Sequence, residues 1–280
     1  MTVKMTAMGT VVVNGEAADC VSAYDRGLQY GDGLFETIAV LDGQPRNWDL
    51  HLERLRAGCE RLRIPPPSPE RLFDDFLKLP VDDRPLVLKI IVTRGAGGRG
   101  YRPPEDPSPT RILTLGPWPD HPPANREQGV TVRLCELRLG CNPALAGLKH
   151  LNRLEQVLAR GEWSDPAIAE GLMFDANGYL VEGTMSNVFI CADGEIRTPL
   201  LDGCGVAGIV RRRIIERAAA GSAVLERRLT LTDLLAADAV FLTNSLIGLW
   251  PVRRMLLPEG SREYDSRPVV DRLRVELGME

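Results

Sequence analysis

Several features are scarce in this sequence of 280 residues, and each absence removes a class of protein. The N-terminal stretch has no apolar run long enough for a signal peptide, and no later stretch could span a bilayer. The six cysteines form no C-x-x-C pair and the three histidines form no H-E-x-x-H motif, so we expect reduced thiols and no catalytic zinc. The sequence thus predicts a soluble, cytoplasmic protein that does not bind membranes.

The net charge is small, and lysine is scarce. The formal net charge is −4 with both signs interspersed, which gives no basis for a nucleic-acid partner. Hydrophobic residues make up 44% of the chain, an ordinary globular composition that supports a sizeable core. The chain has thirty arginines but only four lysines, which are Lys4, Lys78, Lys89 and Lys149.

Turn signals, in contrast, are abundant. Four Asn-Gly or Asp-Gly pairs lie between short apolar runs, and such pairs supply the positive φ values of a type I′ turn. Each pair predicts a β-hairpin, and hairpins imply antiparallel strands. The four pairs are Asn14-Gly15, Asp42-Gly43, Asn177-Gly178 and Asp193-Gly194.

Apolar residues at helical spacing alternate with these hairpins. One predicted helix, which begins at Lys149, carries Leu151, Leu154, Val157 and Leu158 on one face. Another is predicted to use Thr232 as its N-terminal cap. The four predicted helices cover residues 49–63, 149–162, about 206–221 and 232–237.

A segment rich in proline and polar residues divides the chain. It runs from Gly116 to Gly129 with a predicted strand on either side, and we interpret it as an interdomain linker. The chain is therefore predicted to be an α+β protein of two domains, each with an antiparallel or mixed sheet and helices, and with a cleft between them. The predicted domains are residues 1–117 and 129–280, and the linker is residues 118–128.

One glycine-rich motif is misleading. Residues 95–100 match G-x-G-x-x-G after a predicted strand, but a dinucleotide-binding turn must open a helix, and here prolines follow almost at once. We therefore reject a dinucleotide-binding site. A loop that carries Arg94, Arg99 and Tyr101 is equally suited to close around an anionic substrate and to be a mobile surface loop.

Three positions carry groups that could take part in catalysis or binding, but spacing alone does not decide whether they do. Lys149 lies where a loop meets a predicted helix, and Glu182 follows a hairpin. Charged residues in such places are usually just solvated, so spacing alone gives them little functional weight. Small residues near Gly208 leave backbone N–H groups at a helix N-terminus accessible to a phosphate, although a glycine there also permits close packing.

Taken together and in order, seven segments resemble the fold-type IV pyridoxal-phosphate (PLP) enzymes. That family includes branched-chain aminotransferases, D-amino-acid aminotransferases and aminodeoxychorismate lyases. The resemblance extends from about Asn14 to Val252. Its segments are YGDGLFET at 30–37, HLERL at 51–55, TRG at 93–95, KHLNRLEQ at 149–156, EGTMSN at 182–187, GVAGIVR at 205–211 and NS at 244–245.

Within the family the lyase branch is the most similar, because of RGAGGRGY at 94–101, LKHLNRLEQVL at 148–158 and CGVAG at 204–208. The resemblance implies a PLP-dependent carbon–oxygen lyase of folate biosynthesis that converts 4-amino-4-deoxychorismate to 4-aminobenzoate and pyruvate. A branched-chain or D-amino-acid aminotransferase with the same cofactor site is the alternative. A catalytically idle PLP-binding protein is a remoter one.

The resemblance also assigns roles toward the cofactor, which it implies lies in the interdomain cleft. Lys149 would bind PLP covalently and then take the proton from the amine-bearing carbon. Glu182 would pair with the pyridine nitrogen. The phosphate would be held by the guanidinium of Arg54, the backbone of Gly208 and Ile209, and the hydroxyl of Ser245.

Other implied roles concern the small-molecule substrate and the assembly. Arg99, and with it Tyr101, would bind a substrate carboxylate. Thr37 would assist proton delivery to the leaving group. Members of the family are homodimers, so a homodimer is expected here as well.

Overall fold

The computed structural model describes residues 11–218 and 224–279. The chain forms two compact units: one holds the chain up to Pro119 together with Lys149–Asn152, and the other holds Asp120–Leu148 and the chain from Arg153 onward. The domain boundaries predicted at residues 117 and 129 stay a prediction. The structure adds that the predicted linker contains a short helix and that residues 149–152 group with the first unit.

Six strands of the first unit form one antiparallel sheet in the order β2-β1-β6-β5-β3-β4. Three helices accompany the sheet, as the α+β prediction requires. The elements are β1 Val11–Val13, β2 Glu16–Ala17, α1 Arg26–Tyr30, β3 Gly33–Leu41, β4 Gln44–Pro45, α2 Trp48–Leu62, α3 Pro69–Phe76, β5 Leu86–Thr93 and β6 Thr110–Pro117.

The two faces of this sheet differ in exposure because successive side chains of a strand point to opposite sides. One face is buried and carries apolar residues such as Ile38, Leu88, Ile90 and Leu113. We call the other the open face, since its side chains are partly or fully exposed. It comprises Phe35, Thr37, Lys89, Ile91, Ile112 and Thr114.

The second unit contains a mixed sheet in the order β12-β11-β10-β13-β14-β7-β8-β9, with β15 paired to β14. The pairs β11/β12, β7/β14 and β7/β8 are parallel and the others antiparallel. The elements are α4 Pro123–Glu127, β7 Val130–Leu139, α5 Leu154–Arg160, β8 Ile168–Asp175, β9 Leu180–Gly183, β10 Asn187–Ala192, β11 Glu195–Pro199, α6 Ile209–Ala218, β12 Val224–Arg227, α7 Leu231–Ala236, β13 Ala239–Asn244, β14 Gly248–Leu256, β15 Ser261–Glu263 and α8 Arg267–Leu277.

All four predicted hairpins are present. In three of them the Asn or Asp and the following Gly both have positive φ, as a type I′ turn requires. The fourth differs, because Asn177 has no positive φ while Gly178 has φ +84°. There the carboxylate of Asp175 accepts hydrogen bonds from the N–H groups of Asn177 and Tyr179, both at 2.9 Å, and helps to hold the turn.

The predicted helices need three corrections. The helix expected from Lys149 begins only at Leu154, and the helix expected from Val206 begins at Ile209. The predicted end of the latter, at Gly221, lies outside the described residues. The cap of α7 is Thr230 rather than Thr232, because the Thr230 hydroxyl and the Asp233 carboxylate form a reciprocal capping box.

The glycine-rich motif opens no helix, which agrees with rejection of a dinucleotide site. Gly95 has φ +86°, and a Cβ at this position would lie 1.8 Å from the carbonyl oxygen of Ser108, so only glycine fits. Across residues 11–218 and 224–279, none of the helices combines the length and apolar character needed to cross a membrane.

Candidate active site

Lys149 lies in an extended segment beside β3. The N–H of Phe35 donates to the carbonyl of Lys149 at 2.9 Å, and the N–H of Leu151 donates to the carbonyl of Gly33 at 3.0 Å. Leu34 and His150 form an antiparallel bridge between these two bonds. Because β3 holds residues 149–151 extended, α5 begins only after them, and Lys149 is not the first residue of a helix.

The side chain of Lys149 is held over an aromatic ring. Its Nζ lies 4.4 Å from the ring centroid of Phe35, and the residue is half-buried. An ammonium over a ring face is stabilised by the quadrupole of that ring. Phe35 therefore fixes the direction of an amine that stands on a rigid β-edge.

A buried charged cluster, formed by Glu36 with His51 and Arg54 of α2, lies in the same unit. His51 Nδ1 is 2.6 Å from the Glu36 carboxylate, and Arg54 donates to that carboxylate through Nε at 2.8 Å and through a second nitrogen. Glu36 is 1% exposed and His51 is fully buried. Since an ionised carboxylate only accepts, Nδ1 of His51 carries the proton in this contact.

The pKa values in this cluster follow from burial and charge. Burial alone would raise the pKa of Glu36, but the charge of Arg54 and the hydrogen bonds from His51 and Arg54 hold it at about 2. Burial lowers the pKa of His51. The positive charges of Arg54 and Lys149 act in the same direction, while Glu36 opposes them. The cluster is therefore an ionised Glu36 facing a cationic Arg54, next to an imidazole that resists protonation.

In the second unit, Glu182 of β9 is a buried carboxylate that is 4% exposed. It accepts a hydrogen bond from the N–H of Val206 at 2.8 Å and a longer one from the amide of Gln156 at 3.4 Å. The other carboxamide atom of Gln156, Oε1, is buried and has no hydrogen-bond partner among the described residues. Both oxygens are acceptors, so this pair is suited to a ligand that donates hydrogen bonds.

The loop after Glu182 is organised by a second buried carboxylate. Glu170 of β8 is 1% exposed and accepts from the N–H and hydroxyl of Thr184 at 3.0 and 2.5 Å, from the N–H of Met185 at 3.1 Å and from the hydroxyl of Ser186 at 2.8 Å. One carboxylate thus fixes three consecutive residues that connect Glu182 to β10.

The sequence predicted a phosphate site at the N-terminus of α6, where backbone N–H groups are the candidate donors. The amide of Asn187 donates to the carbonyl of Val206 at 2.7 Å, and a Cβ on Gly208 would lie 2.0 Å from Oδ1 of Asn187. The first N–H groups of a helix have no intrahelical acceptor, so Gly208 and Ile209 present donors backed by the helix dipole. These residues fit a phosphate.

Ser245 lies in the turn between β13 and β14 and is partly exposed. Its neighbour Asn244 accepts from the N–H groups of Leu246 and Ile247 and donates to the carbonyl of Met185 at 3.0 Å. The turn is thereby tied to the loop that Glu170 organises. Within the second unit, Glu182, Gly208, Ile209 and Ser245 are thus joined by one hydrogen-bonded framework.

The glycine-rich loop of the first unit separates its arginines. Arg94 is buried, paired with Asp32 and bonded to the carbonyls of Leu62 and Arg63, so it is structural and not a substrate group. Arg99 and Tyr101 are exposed, the latter at 84%. The sequence predictions missed Glu36, His51 and Glu170. The sequence held a signal for Glu36, since a charged residue stands there at a position where the alternation of the strand predicts a buried apolar one.

Comparisons with known proteins agree with these observations. A family model described as amino-transferase class IV matches residues 33–255. The chain is 38% identical to an aminodeoxychorismate lyase of Vibrio harveyi, over 95% of this chain and 98% of that protein. It is 34% identical to a putative branched-chain-amino-acid aminotransferase of Methanocaldococcus jannaschii, over 86% of each chain.

A solved structure is similar over the same extent. The 4-amino-4-deoxychorismate lyase of Pseudomonas aeruginosa superposes with a TM-score of 0.85 at 46% sequence identity, covering 95% of this chain and 98% of that one. The predicted α+β class and fold type IV are confirmed. From the match of the family model and the similarity of whole chains, we conclude that this protein belongs to the class IV aminotransferase family.

Proposed function

We propose that the protein is a PLP-dependent lyase that converts 4-amino-4-deoxychorismate to 4-aminobenzoate and pyruvate. The observation that carries the proposal is Lys149, an amine held on a rigid β-edge over the Phe35 ring, in a chain that matches two lyases over 95% of its length. Bound PLP supplies an electron sink for the bonds at an amine-bearing carbon.

Lys149 is the group proposed to carry the chemistry. It would hold the cofactor covalently, and as a free amine it would take the proton from the amine-bearing carbon of the substrate. The backbone hydrogen bonds between residues 149–151 and β3 suit this role, because a base must keep its position while the substrate changes.

The remaining cofactor contacts are proposed for residues that match the family pattern. Glu182 would accept a hydrogen bond from the protonated pyridine nitrogen, and its burial would keep water from competing. Arg54, whose plane is fixed by two bonds to Glu36, would hold the phosphate, as would the N–H groups of Gly208 and Ile209 and the hydroxyl of Ser245.

Two further roles concern the substrate. Thr37 lies on the open face beside Phe35 in strand alternation, and its hydroxyl is proposed to deliver a proton to the departing enolpyruvyl oxygen. Arg99, with Tyr101, is proposed to bind a carboxylate. Arg26 donates to the carbonyls of Gly100 and Tyr101, both at 3.0 Å, which holds the loop that carries these two side chains.

A homodimer in the cytoplasm is proposed as the working form. The support comes from α5, where Leu154, Val157 and Leu158 were expected on one apolar face and are 75%, 63% and 63% exposed. Three large apolar side chains on one exposed helix suit a contact with a second copy of the chain. Sedimentation of the purified protein, compared with a Leu154→Glu/Leu158→Glu variant, tests the assembly.

The decisive experiment on function is an assay of products. Purified protein loaded with PLP is incubated with 4-amino-4-deoxychorismate, and 4-aminobenzoate and pyruvate are quantified. Equimolar formation of both supports the lyase. Amino-group exchange between an amino acid and a 2-oxo acid, without pyruvate release, would support the aminotransferase alternative instead.

A further inference from the structure

Two cysteines of the second unit lie on neighbouring segments. Cys141 follows β7, and Cys204 lies in the loop between β11 and α6. The N–H of Asn142 donates to the carbonyl of Gly203 at 2.7 Å, so the residues next to the two cysteines are joined by a backbone hydrogen bond. A Cβ on Gly203 would lie 3.5 Å from Sγ of Cys141, which places the Cys141 side chain over the loop that carries Cys204.

Further backbone bonds hold these two segments side by side. The N–H of Gly147 donates to the carbonyl of Gly205 at 2.9 Å, and the N–H of Ala207 donates to the carbonyl of Gly147 at 3.1 Å. Gly147 and Val206 thereby form a parallel bridge. A disulfide requires two Cα atoms about 4.4–6.8 Å apart, which is the range found between hydrogen-bonded neighbouring segments. A bond between the two sulfurs therefore needs little movement of the backbone.

The two thiols differ in exposure. Cys141 is exposed, its thiol donates to Oδ2 of Asp175 at 3.6 Å, and the amide of Asn177 donates to its sulfur at 3.9 Å. Cys204 is half-buried and packs against the apolar cluster that contains Val181. Burial raises the pKa of Cys204 to about 12, and the neighbouring Cys141 acts in the same direction. Cys141 is therefore the thiol that meets a dissolved oxidant first, with a neutral thiol beside it.

We propose that Cys141 and Cys204 form a modification site that hydrogen peroxide converts to a reversible disulfide. The peroxide oxidises the thiol of Cys141 to a sulfenic acid, and its O–O bond is reduced with release of one water. The sulfur of Cys204 then attacks the sulfur of Cys141, the S–O bond breaks, and the hydroxyl leaves with the thiol proton of Cys204 as a second water. The inference is independent of the proposed function, because neither cofactor nor substrate takes part.

The disulfide has two consequences for the second unit. It fixes the loop that leads into α6, in which the N–H of Val206 donates to Glu182 at 2.8 Å. Because the bond joins residues far apart in the chain, it also removes conformations from the unfolded state and stabilises the folded one. In addition, capture of the sulfenic acid by Cys204 prevents irreversible oxidation of Cys141 to the sulfinic acid.

The test treats the PLP-loaded protein, folded in native buffer, with hydrogen peroxide and maps its peptides by mass spectrometry without reduction. Cys141→Ser removes the thiol that is oxidised, and Cys204→Ser removes the thiol that captures the sulfenic acid. Cys20→Ser is the matched control, because Cys20 is exposed like Cys141 but lies in the first unit. The urea midpoint of unfolding is measured before and after peroxide, and again after dithiothreitol.

We expect peroxide to link the peptide of Cys141 to that of Cys204 in the wild type and in Cys20→Ser. The urea midpoint of both should rise by on the order of 1 M and return to its starting value with dithiothreitol. Cys141→Ser and Cys204→Ser should show neither the link nor the shift. In Cys204→Ser, Cys141 should instead accumulate as the sulfinic acid, which dithiothreitol does not reduce.

Three results would overturn the proposal. The first is a wild type in which Cys141 becomes the sulfinic acid without any link to Cys204. The second is a link that forms only after the protein has been unfolded in urea, and the third is a link between Cys141 residues of two chains. The map of the wild type decides each of these, so the test does not depend on the folding of either serine variant.

Discussion

The two units bury carboxylates in different ways. In the first unit, Glu36 faces the charged Arg54 and the imidazole of His51. In the second unit, Glu170 is surrounded by neutral donors, namely backbone N–H groups and hydroxyls of a single loop. In the first unit the buried carboxylate is thus stabilised by a charged partner, whereas in the second unit it is stabilised by neutral dipoles. The first arrangement fixes side chains, and the second fixes backbone.

The difference follows from the sheets. The first sheet has a buried face against which α2 can place long cationic side chains, so a strand residue such as Glu36 meets arginine. In the second sheet the central strands are buried over nearly their whole length, as in β8 and β13, so a charge there is met by the backbone of a neighbouring loop. Disruption of each arrangement should therefore have a different signature.

The largest expected effect is a loss of catalytic rate without a matching loss of stability. Replacing Lys149 with Ala removes the covalent attachment and the proposed base, so the rate of pyruvate release should fall by at least about 10²–10⁴-fold. The backbone bonds of residues 149–151 to β3 do not depend on the side chain, so the unfolding midpoint in urea should change little. Turnover near the wild-type rate with added PLP would leave Lys149 without its role as base.

Breaking the cluster of Glu36, Arg54 and His51 should lower the free energy of unfolding by more than breaking the arrangement around Glu170. Glu36→Gln leaves Arg54 and His51 without their anionic partner, and loss of one member of a buried pair costs about 3–5 kcal/mol. The free energy of unfolding, measured in urea at pH 7, should fall by this amount. A loss below about 1 kcal/mol would show that water replaces the carboxylate.

The same cluster predicts a dependence on pH. The pKa of Glu36 is about 2 in the folded chain and 4.5 is its ordinary value, so the unfolded chain binds a proton first. The resulting stabilisation, about 3 kcal/mol, is complete above pH 4.5 and is lost as the pH falls toward 2. Unfolding free energies of wild type and Glu36→Gln should therefore converge between pH 5 and pH 2. Parallel curves would contradict the low pKa.

Loss of the Glu170 carboxylate, which is surrounded by neutral donors, should lower the free energy of unfolding by less. Glu170→Gln replaces one acceptor oxygen with a donor, which leaves donors of Thr184 or Ser186 unsatisfied at about 1–3 kcal/mol. Because these residues follow Glu182, cofactor affinity should fall together with stability. Glu170→Asp, which keeps both oxygens on a shorter stem, is the control. A larger loss of stability here than in Glu36→Gln would reverse the comparison between the units.

The smallest effect tests a helix end in the second unit. Thr230→Ala removes the cap of α7 and should cost about 1 kcal/mol. Thr232→Ala, two residues away inside the helix, should leave the unfolding free energy within about 0.5 kcal/mol of the wild type. Equal losses in both variants would argue against the capping box.

Much of the fold was predictable because local chemistry specifies it. The four hairpins needed only Asn-Gly or Asp-Gly pairs, and α2 needed only periodic leucines between polar stretches. The helix expected from Lys149 was wrong at its start because a tertiary contact decides it. Backbone groups of β3, more than a hundred residues earlier in the chain, hold residues 149–151 extended.

The candidate site was predictable to a lesser degree. Short motifs led to the prediction of Lys149, Glu182 and Arg54, since each lies in a segment with a family pattern. Their partners were not predictable, because Glu36 and Glu170 act through side chains that converge only after folding. The exposed face of α5 also escaped prediction, since periodicity identifies an apolar stripe without telling what covers it.

The bond between β3 and residues 149–151 has a consequence for synthesis on the ribosome. When the first 119 residues have emerged, the edge at Gly33–Phe35 still lacks the segment that pairs with it, and exposed strand edges recruit other chains. This edge can be paired only after residues 149–151 have been synthesised and have emerged from the ribosome. A gene fragment that ends at Pro119 should therefore yield an aggregation-prone product, and co-expression with the remainder should rescue it.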